Sequence, residues 1–94
     1  MKASREIALL RALLAERLGG VGEQKFVYQA GGAQSGLTVM FHVYRPNDTE
    51  DVAQSDTADE VGETGRYVGS FIASGPGWYV LIDDSAGGHA VKQF

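Results

Sequence analysis

The last third of the chain constrains the fold most. Residues 64–94 contain three short apolar runs, at 67–73, 78–83 and 90–94, which are rich in aromatic and β-branched residues. Glycine and proline separate the runs. Runs of this kind, bounded by turn residues, are typical of successive antiparallel strands. The pattern therefore predicts a mainly β fold, and it indicates no reaction.

Composition narrows the class of protein further. A chain of 94 residues with 44% apolar content is enough for one small domain with a single core. Because it lacks cysteine, disulfides, a thiolate nucleophile and thiolate metal ligands are excluded. The net charge of −4 argues against a nucleic-acid partner, which requires a basic surface.

Residues 4–18 are mostly strong helix formers, and Ser4 and the pair Gly19 and Gly20 are suitable residues for the two caps. We predict an amphipathic helix within residues 1–20, followed by a β-sandwich domain over residues 21–94. Charged residues interrupt the apolar segment, which indicates neither a membrane span nor a secretory signal. We expect a chain made in the cytoplasm, with no membrane partner.

The apolar side of this helix is wide. Its large residues cover an arc of about 180°, whereas docking on one surface requires roughly 100°. They are Ile7, Leu9, Leu10, Leu13, Leu14 and Leu18. Two interpretations remain open: the domain's own sheet edge and loops cover the extra width, or part of the helix packs on a partner chain.

Between the helix and the final runs, residues 25–29 and 37–44 are predicted strands. The second alternates, which places Leu37, Val39, Phe41 and Val43 toward the core. Residues 45–48 form a turn. Residues 48–63 have the weakest pattern, and we allow one or two short edge strands there. The total is six or seven strands.

The segment Gly77-Trp78-Tyr79-Val80-Leu81 resembles the late strand of immunoglobulin-like (Ig-like) β-sandwiches, in which a turn glycine precedes a tyrosine that bonds back to the corner. Leu81 stands where an antibody domain has cysteine, so the resemblance is to a sandwich of the cysteine-free kind. It implies an antiparallel Ig-like sandwich over about residues 25–94.

Residues 36–46 together with 60–71 resemble small Ig-like modules of bacteriophage structural proteins. In that family the module decorates the head or belongs to the neck or tail, and it has no catalytic residues. The resemblance implies a noncatalytic virion component whose partners are other virion proteins and copies of itself. It implies localisation in the phage particle.

Candidate chemical groups are few. His42 and His89 have no metal-ligand spacing, and Asp83, Asp84 and Ser85 read as a hairpin loop. Residues 48–63 contain seven acidic residues and no basic one, but they lack the spacing of a calcium loop. We expect a solvated acidic surface. The sequence predicts no catalytic residue, no cofactor, no metal ligand and no small-molecule substrate.

Trp78 and Tyr79 are consecutive and so face opposite sides of their strand. From the resemblance we expect Leu81 and Tyr79 to face the core, which leaves Trp78 for a partner. The predicted partner interface comprises Leu9, Leu10, Leu13, Leu14, Arg17 and Trp78. The alternative function is a ligand-binding Ig-like module that uses the acidic segment for calcium or exposed aromatic rings for carbohydrate.

Overall fold

A computed structural model describes residues 21–94, which form a sandwich of two antiparallel sheets. The predicted helix and the five interface residues before position 20 lie outside the described residues. The seven strands are β1 (Gly22–Gln29), β2 (Val39–Tyr44), β3 (Asp56–Thr57), β4 (Asp59–Glu60), β5 (Arg66–Ala73), β6 (Tyr79–Asp84) and β7 (His89–Gln93). The mainly β fold is thus confirmed, and the weakly patterned segment provides the two short strands β3 and β4.

The strands divide into a three-stranded sheet with the order β1-β5-β4 and a four-stranded sheet with the order β3-β2-β6-β7. In the first sheet, β1 and β5 pair over their full length, from Gly22 opposite Ala73 to Gln29 opposite Arg66. In the second, β6 is central and pairs with β2 on one side and β7 on the other. Within the described residues no strand pairs with the outer edge of β1 or of β7.

Alternating residues of both sheets meet in one apolar core. Val39, Phe41 and Val43 of β2 are buried, as the alternation predicts, and Phe71 of β5 is buried with them. The Phe41 ring meets the Phe26 ring edge to face, with 4.9 Å between centroids. The inward faces of β1 and β5 thus cover the inward face of β2.

The predicted register of β6 is wrong. Val80 and Ile82 are buried, and Trp78, which precedes the strand, is buried with them and stacks on Phe71. Because neighbouring residues alternate, Tyr79 and Leu81 face outward and are half-buried. The Trp78 indole carries more apolar area than the Tyr79 ring, so burying it stabilises the fold more.

The tyrosine whose hydroxyl bonds to loop backbone is Tyr67, whereas the Tyr79 hydroxyl bonds to the Asp48 side chain. The Tyr67 ring is buried, its hydroxyl donates to the backbone carbonyl of Gln34 at 3.0 Å, and it accepts the N–H of Leu37 at the same distance. This pair of hydrogen bonds holds the loop between β1 and β2 against the start of β5.

A second polar contact links the two sheets. The Tyr28 hydroxyl of β1 donates to the Asp84 carboxylate at the end of β6, at 2.5 Å. The other Asp84 oxygen accepts the N–H groups of Ala86 and Gly88, both at 2.8 Å. Asp84 therefore shapes the hairpin loop between β6 and β7, as expected for a hairpin segment, and also fastens that loop to β1.

Candidate interaction surface

The outward side of β2, β6 and β7 carries most of the aromatic side chains that are not buried in the core. The strand register places its side chains in three rows across the sheet. We call this surface the tyrosine face. Its rows are Tyr44, Tyr79 and Gln93; then His42, Leu81 and Val91; then Met40, Asp83 and His89.

Apolar side chains occupy the middle of this face, where Leu81 and Val91 are neighbours in one row and Met40 is diagonal to Leu81. Val91 is 58% exposed and Met40 is 43% exposed, and the half-buried Leu81 lies between them in the grid. The middle of the face therefore presents aliphatic carbon to solvent, and its central row contains no aspartate, glutamate, lysine or arginine. Surfaces of this composition favour contact with another protein.

The two tyrosines at one end of the face form a rigid aromatic platform. Their rings stack with 5.2 Å between centroids and 6° between planes. The Tyr79 hydroxyl donates to the Asp48 carboxylate at 2.8 Å, and this hydrogen bond raises the Tyr79 pKa above its ordinary value. Because Asp48 fixes the ring, the platform loses little side-chain entropy when a partner covers it.

His42 lies between two carboxylates at the side of the face. Its Nδ1 is 3.3 Å from Glu50 and its Nε2 is 3.6 Å from Asp83. Glu50 also accepts the Ser55 hydroxyl at 2.8 Å. Each carboxylate is next to a different nitrogen of the ring, so the three side chains do not surround a common position. Within residues 21–94 no group of three or more histidine or acidic side chains is placed to hold a metal ion.

The acidic segment contributes structural hydrogen bonds. Glu60 accepts the N–H of Gly36 and the N–H of Gly65, both at 3.0 Å, and these bonds lower its pKa. Asp51 accepts the Gln54 amide at 2.9 Å and lies 3.5 Å from the Arg45 guanidinium. Several of the carboxylates that could have formed a calcium site therefore already have partners within the fold.

The outward side of the three-stranded sheet is more polar. Glu23, Lys25, Gln29 and Arg66 alternate there with Val27, Val68 and Ile72. The Lys25 ammonium lies 3.8 Å from the Glu23 carboxylate. A shallow groove of about 420 Å³ runs across β1, β5 and β4 and is lined by Lys25, Val27, Asp59, Val68 and Ser70.

The structure separates the predicted interface residues. Trp78 is only 7% exposed, and its ring packs on Phe71, so the described residues leave it little surface for a partner. Leu9, Leu10, Leu13, Leu14 and Arg17 lie before residue 21, and their role stays a prediction.

Sequence reasoning missed the tyrosine face. Its signal was present in the alternation of β2, because Met40, His42 and Tyr44 form the set opposite the core residues. In β6 the same alternation identifies the outward residues only when it is known which set faces the core. The resemblance to Ig-like sandwiches selected the wrong set. With Trp78 placed inward, Tyr79 and Leu81 join the outward set at once.

Comparisons with known proteins give no match: no family model, no curated protein and no solved structure is significantly similar to this chain. Among residues 21–94 there is no helix long and apolar enough to cross a membrane.

Proposed function

We propose that this chain is a noncatalytic interaction module with an Ig-like fold that joins a larger assembly through the tyrosine face. The observation that carries the proposal is the concentration of exposed Val91, Met40 and half-buried Leu81 beside the fixed Tyr44 and Tyr79 pair. A surface with rigid aromatic rings and exposed aliphatic groups gains free energy when another protein excludes water from it.

The strand order supports the Ig-like part of the proposal. Ig-type sandwiches pair strands B, E and D in one sheet and C, F and G in the other. Here β1, β5 and β4 form one sheet, and β2, β6 and β7 follow each other in the second. The order of pairing is the same, although the corner tyrosine of the family is replaced by the Tyr67 contact.

The assembly we propose is a bacteriophage particle, in which the chain is a head decoration or a neck or tail accessory protein. This part rests on the resemblance of residues 36–46 and 60–71 to phage Ig-like modules. Its partners are then other virion proteins and copies of itself, and the second contact is drawn from the predicted interface residues Leu9, Leu10, Leu13, Leu14 and Arg17.

Quantitative mass spectrometry of purified phage particles from the strain that encodes the chain tests this assignment. We expect its peptides in a fixed ratio to the known particle proteins, unchanged by a salt wash. Particles that lack the chain, with the chain recovered only from the cell extract, contradict the virion assignment.

A second candidate function is carbohydrate binding, because the tyrosine platform borders a hollow of about 240 Å³. Gly77, Trp78, Tyr79, Gln93 and Phe94 line it. A sugar ring stacks on flat aromatic rings, and the Gln93 amide is a suitable hydrogen-bond partner for a hydroxyl.

Titration with glucose, galactose and N-acetylglucosamine, followed by NMR, tests carbohydrate binding. Saturable shifts at Tyr79 and Gln93 that vanish in Tyr79→Ala favour this function, and no shift at millimolar sugar rejects it for these sugars.

A further inference from the structure

The outward side of the three-stranded sheet extends from the point where residues 1–20 join the sandwich to the groove. β1 begins at Gly22, opposite Ala73, and the exposed Val21 and Ile72 are at the same end of the sheet. From there the outward side continues past Ser70 to Val27 and Val68, which line the groove. We propose that Leu10, Leu14 and Leu18 of the same chain cover this groove and the outward side between it and Ile72.

The length of the connection limits where these residues can lie. Only Gly19 and Gly20 separate Leu18 from Val21. Three Cα–Cα steps of about 3.8 Å give Leu18 a reach of about 11 Å from Val21, whatever the conformation of the glycines. At this end of the sheet the core side is filled by the buried Phe71 and Ala73, and the exposed apolar Ile72 lies on the outward side.

The spacing of the two apolar rows matches. In a helix, Leu10, Leu14 and Leu18 are separated by four residues each and extend over about 12 Å. Along β5, Val68 and Ile72 are four residues apart, or about 13 Å. Leu18 then meets Ile72, Leu14 lies over the small Ser70, and Leu10 reaches Val68 and its cross-strand partner Val27.

This contact uses one part of the wide apolar arc and leaves the other free. On a helical wheel Leu10, Leu14 and Leu18 fall within about 80°, and Leu9 and Leu13 fall on a separate side beyond Glu6 and Arg17. The first group faces the groove. The second group remains available to a partner, so docking within the chain removes Leu10 and Leu14 from the predicted partner interface and leaves Leu9 and Leu13 in it.

Two features of the surface support an intramolecular occupant. The groove is lined by the apolar side chains of Val27 and Val68 and by the oppositely charged side chains of Lys25 and Asp59. The segment to be docked also carries both signs of charge around its leucines. A tethered segment needs less affinity than a separate partner because its effective concentration is in the millimolar range.

Methyl NMR on the full chain tests the contact directly. We expect nuclear Overhauser effects from the Leu14 and Leu18 methyl groups to those of Val68 and Ile72. An isotope-filtered experiment on mixed labelled and unlabelled chains should show none of them between chains. Effects seen only between chains place the segment on another copy and overturn the inference, while leaving the proposed assembly function intact. If neither intrachain nor interchain nuclear Overhauser effects are observed, the inference is also overturned.

Limited trypsin digestion provides a second readout, because Arg11 and Arg17 are cleavable sites within the docked segment. Ile72→Asp should increase the rate of cleavage at Arg11 and Arg17 by about tenfold, since it shifts the segment toward its open form. Val91→Asp is the matched control, because Val91 is 58% exposed and lies on the outward side of the other sheet, whereas the turn Val52–Gln54 is hydrogen-bonded to the backbone of Ile72. Equal cleavage rates in the two variants contradict docking in the groove.

Discussion

At the scale of single residues, a few polar contacts fix the loops that the apolar core does not reach. The Tyr28 hydroxyl and the Asp84 carboxylate join one sheet to the other and to the β6–β7 loop. The hydrogen bond to Asp84, together with burial of the ring, raises the pKa of Tyr28 to about 12. The same bond is the main cause of the lowered Asp84 pKa.

Tyr28→Phe should reduce the free energy of unfolding near neutral pH by about 1 kcal/mol, because the exposed side of Asp84 can recover a bond from water. Since the folded pKa of Tyr28 lies above its ordinary value of 10.0, the parent should lose stability as pH rises from about 10 to about 12. It should also lose stability as pH falls below the ordinary Asp84 value of 3.8. Tyr28→Phe should flatten both slopes.

Urea unfolding at a series of pH values measures this effect. Tyr44→Phe is the control, because it removes a hydroxyl from a half-buried ring on the tyrosine face and leaves the Asp84 contact intact. A parent whose stability is constant up to pH 12 would contradict the role of the Tyr28 bond.

Gly65 is a position where a side chain cannot be accommodated. Its φ is +71°, and an added Cβ would lie 2.3 Å from the backbone carbonyl carbon of Ala33. Gly65→Ala should cost roughly 2 to 4 kcal/mol, from the left-handed backbone and from overpacking against a backbone atom. Gly31→Ala is the control, with nothing within 4 Å of the added carbon. Thermal melts of the two variants that coincide would refute the close approach of these loops.

At the scale of strands, the side that faces the core could be predicted from the sequence where only one alternating set is apolar. It could not be predicted where both alternating sets are apolar. The alternation of β2 assigned Val39, Phe41 and Val43 correctly, because one set is apolar and the other mixed. In β6 both alternating sets are apolar, so the pattern did not distinguish them. There the side chain with the larger apolar area, Trp78, determined which set is buried.

Phe41→Ala should destabilise the protein by about 3 to 5 kcal/mol, because the ring is 3% exposed and packs against Phe26. Met40→Ala, at the neighbouring and exposed position, should cost less than about 1 kcal/mol. Chemical denaturation of both variants compares them. A Phe41→Ala protein that melts like its parent would contradict the register of β2.

The acidic segment 48–63 should need no divalent cation. Its Glu60 and Asp51 carboxylates are already hydrogen-bonded to backbone or side-chain groups of the fold. Excess chelator should therefore leave the melting temperature of the full chain unchanged within about one degree. If chelator lowered the melting temperature by several degrees and added calcium restored it, the ligand-binding alternative would be supported.

At the scale of the whole molecule, the two outward faces differ in the partner that they suit. The face of the three-stranded sheet mixes charges with valines and lies within reach of the chain's own first residues. The tyrosine face belongs to the other sheet and presents Met40, Leu81 and Val91. The proposed assembly therefore depends on the tyrosine face, and a single added charge there should weaken it.

Sedimentation equilibrium of the full chain and two valine variants tests this claim most directly. Val91 and Val52 are both exposed, at 58% and 71%, and only Val91 lies on the tyrosine face. We predict that the parent and Val52→Asp associate with the same constant, and that Val91→Asp weakens association by at least about tenfold without lowering the melting temperature. A parent that is monomeric at all concentrations, or a Val91→Asp variant that associates like the parent, would contradict self-association through the tyrosine face.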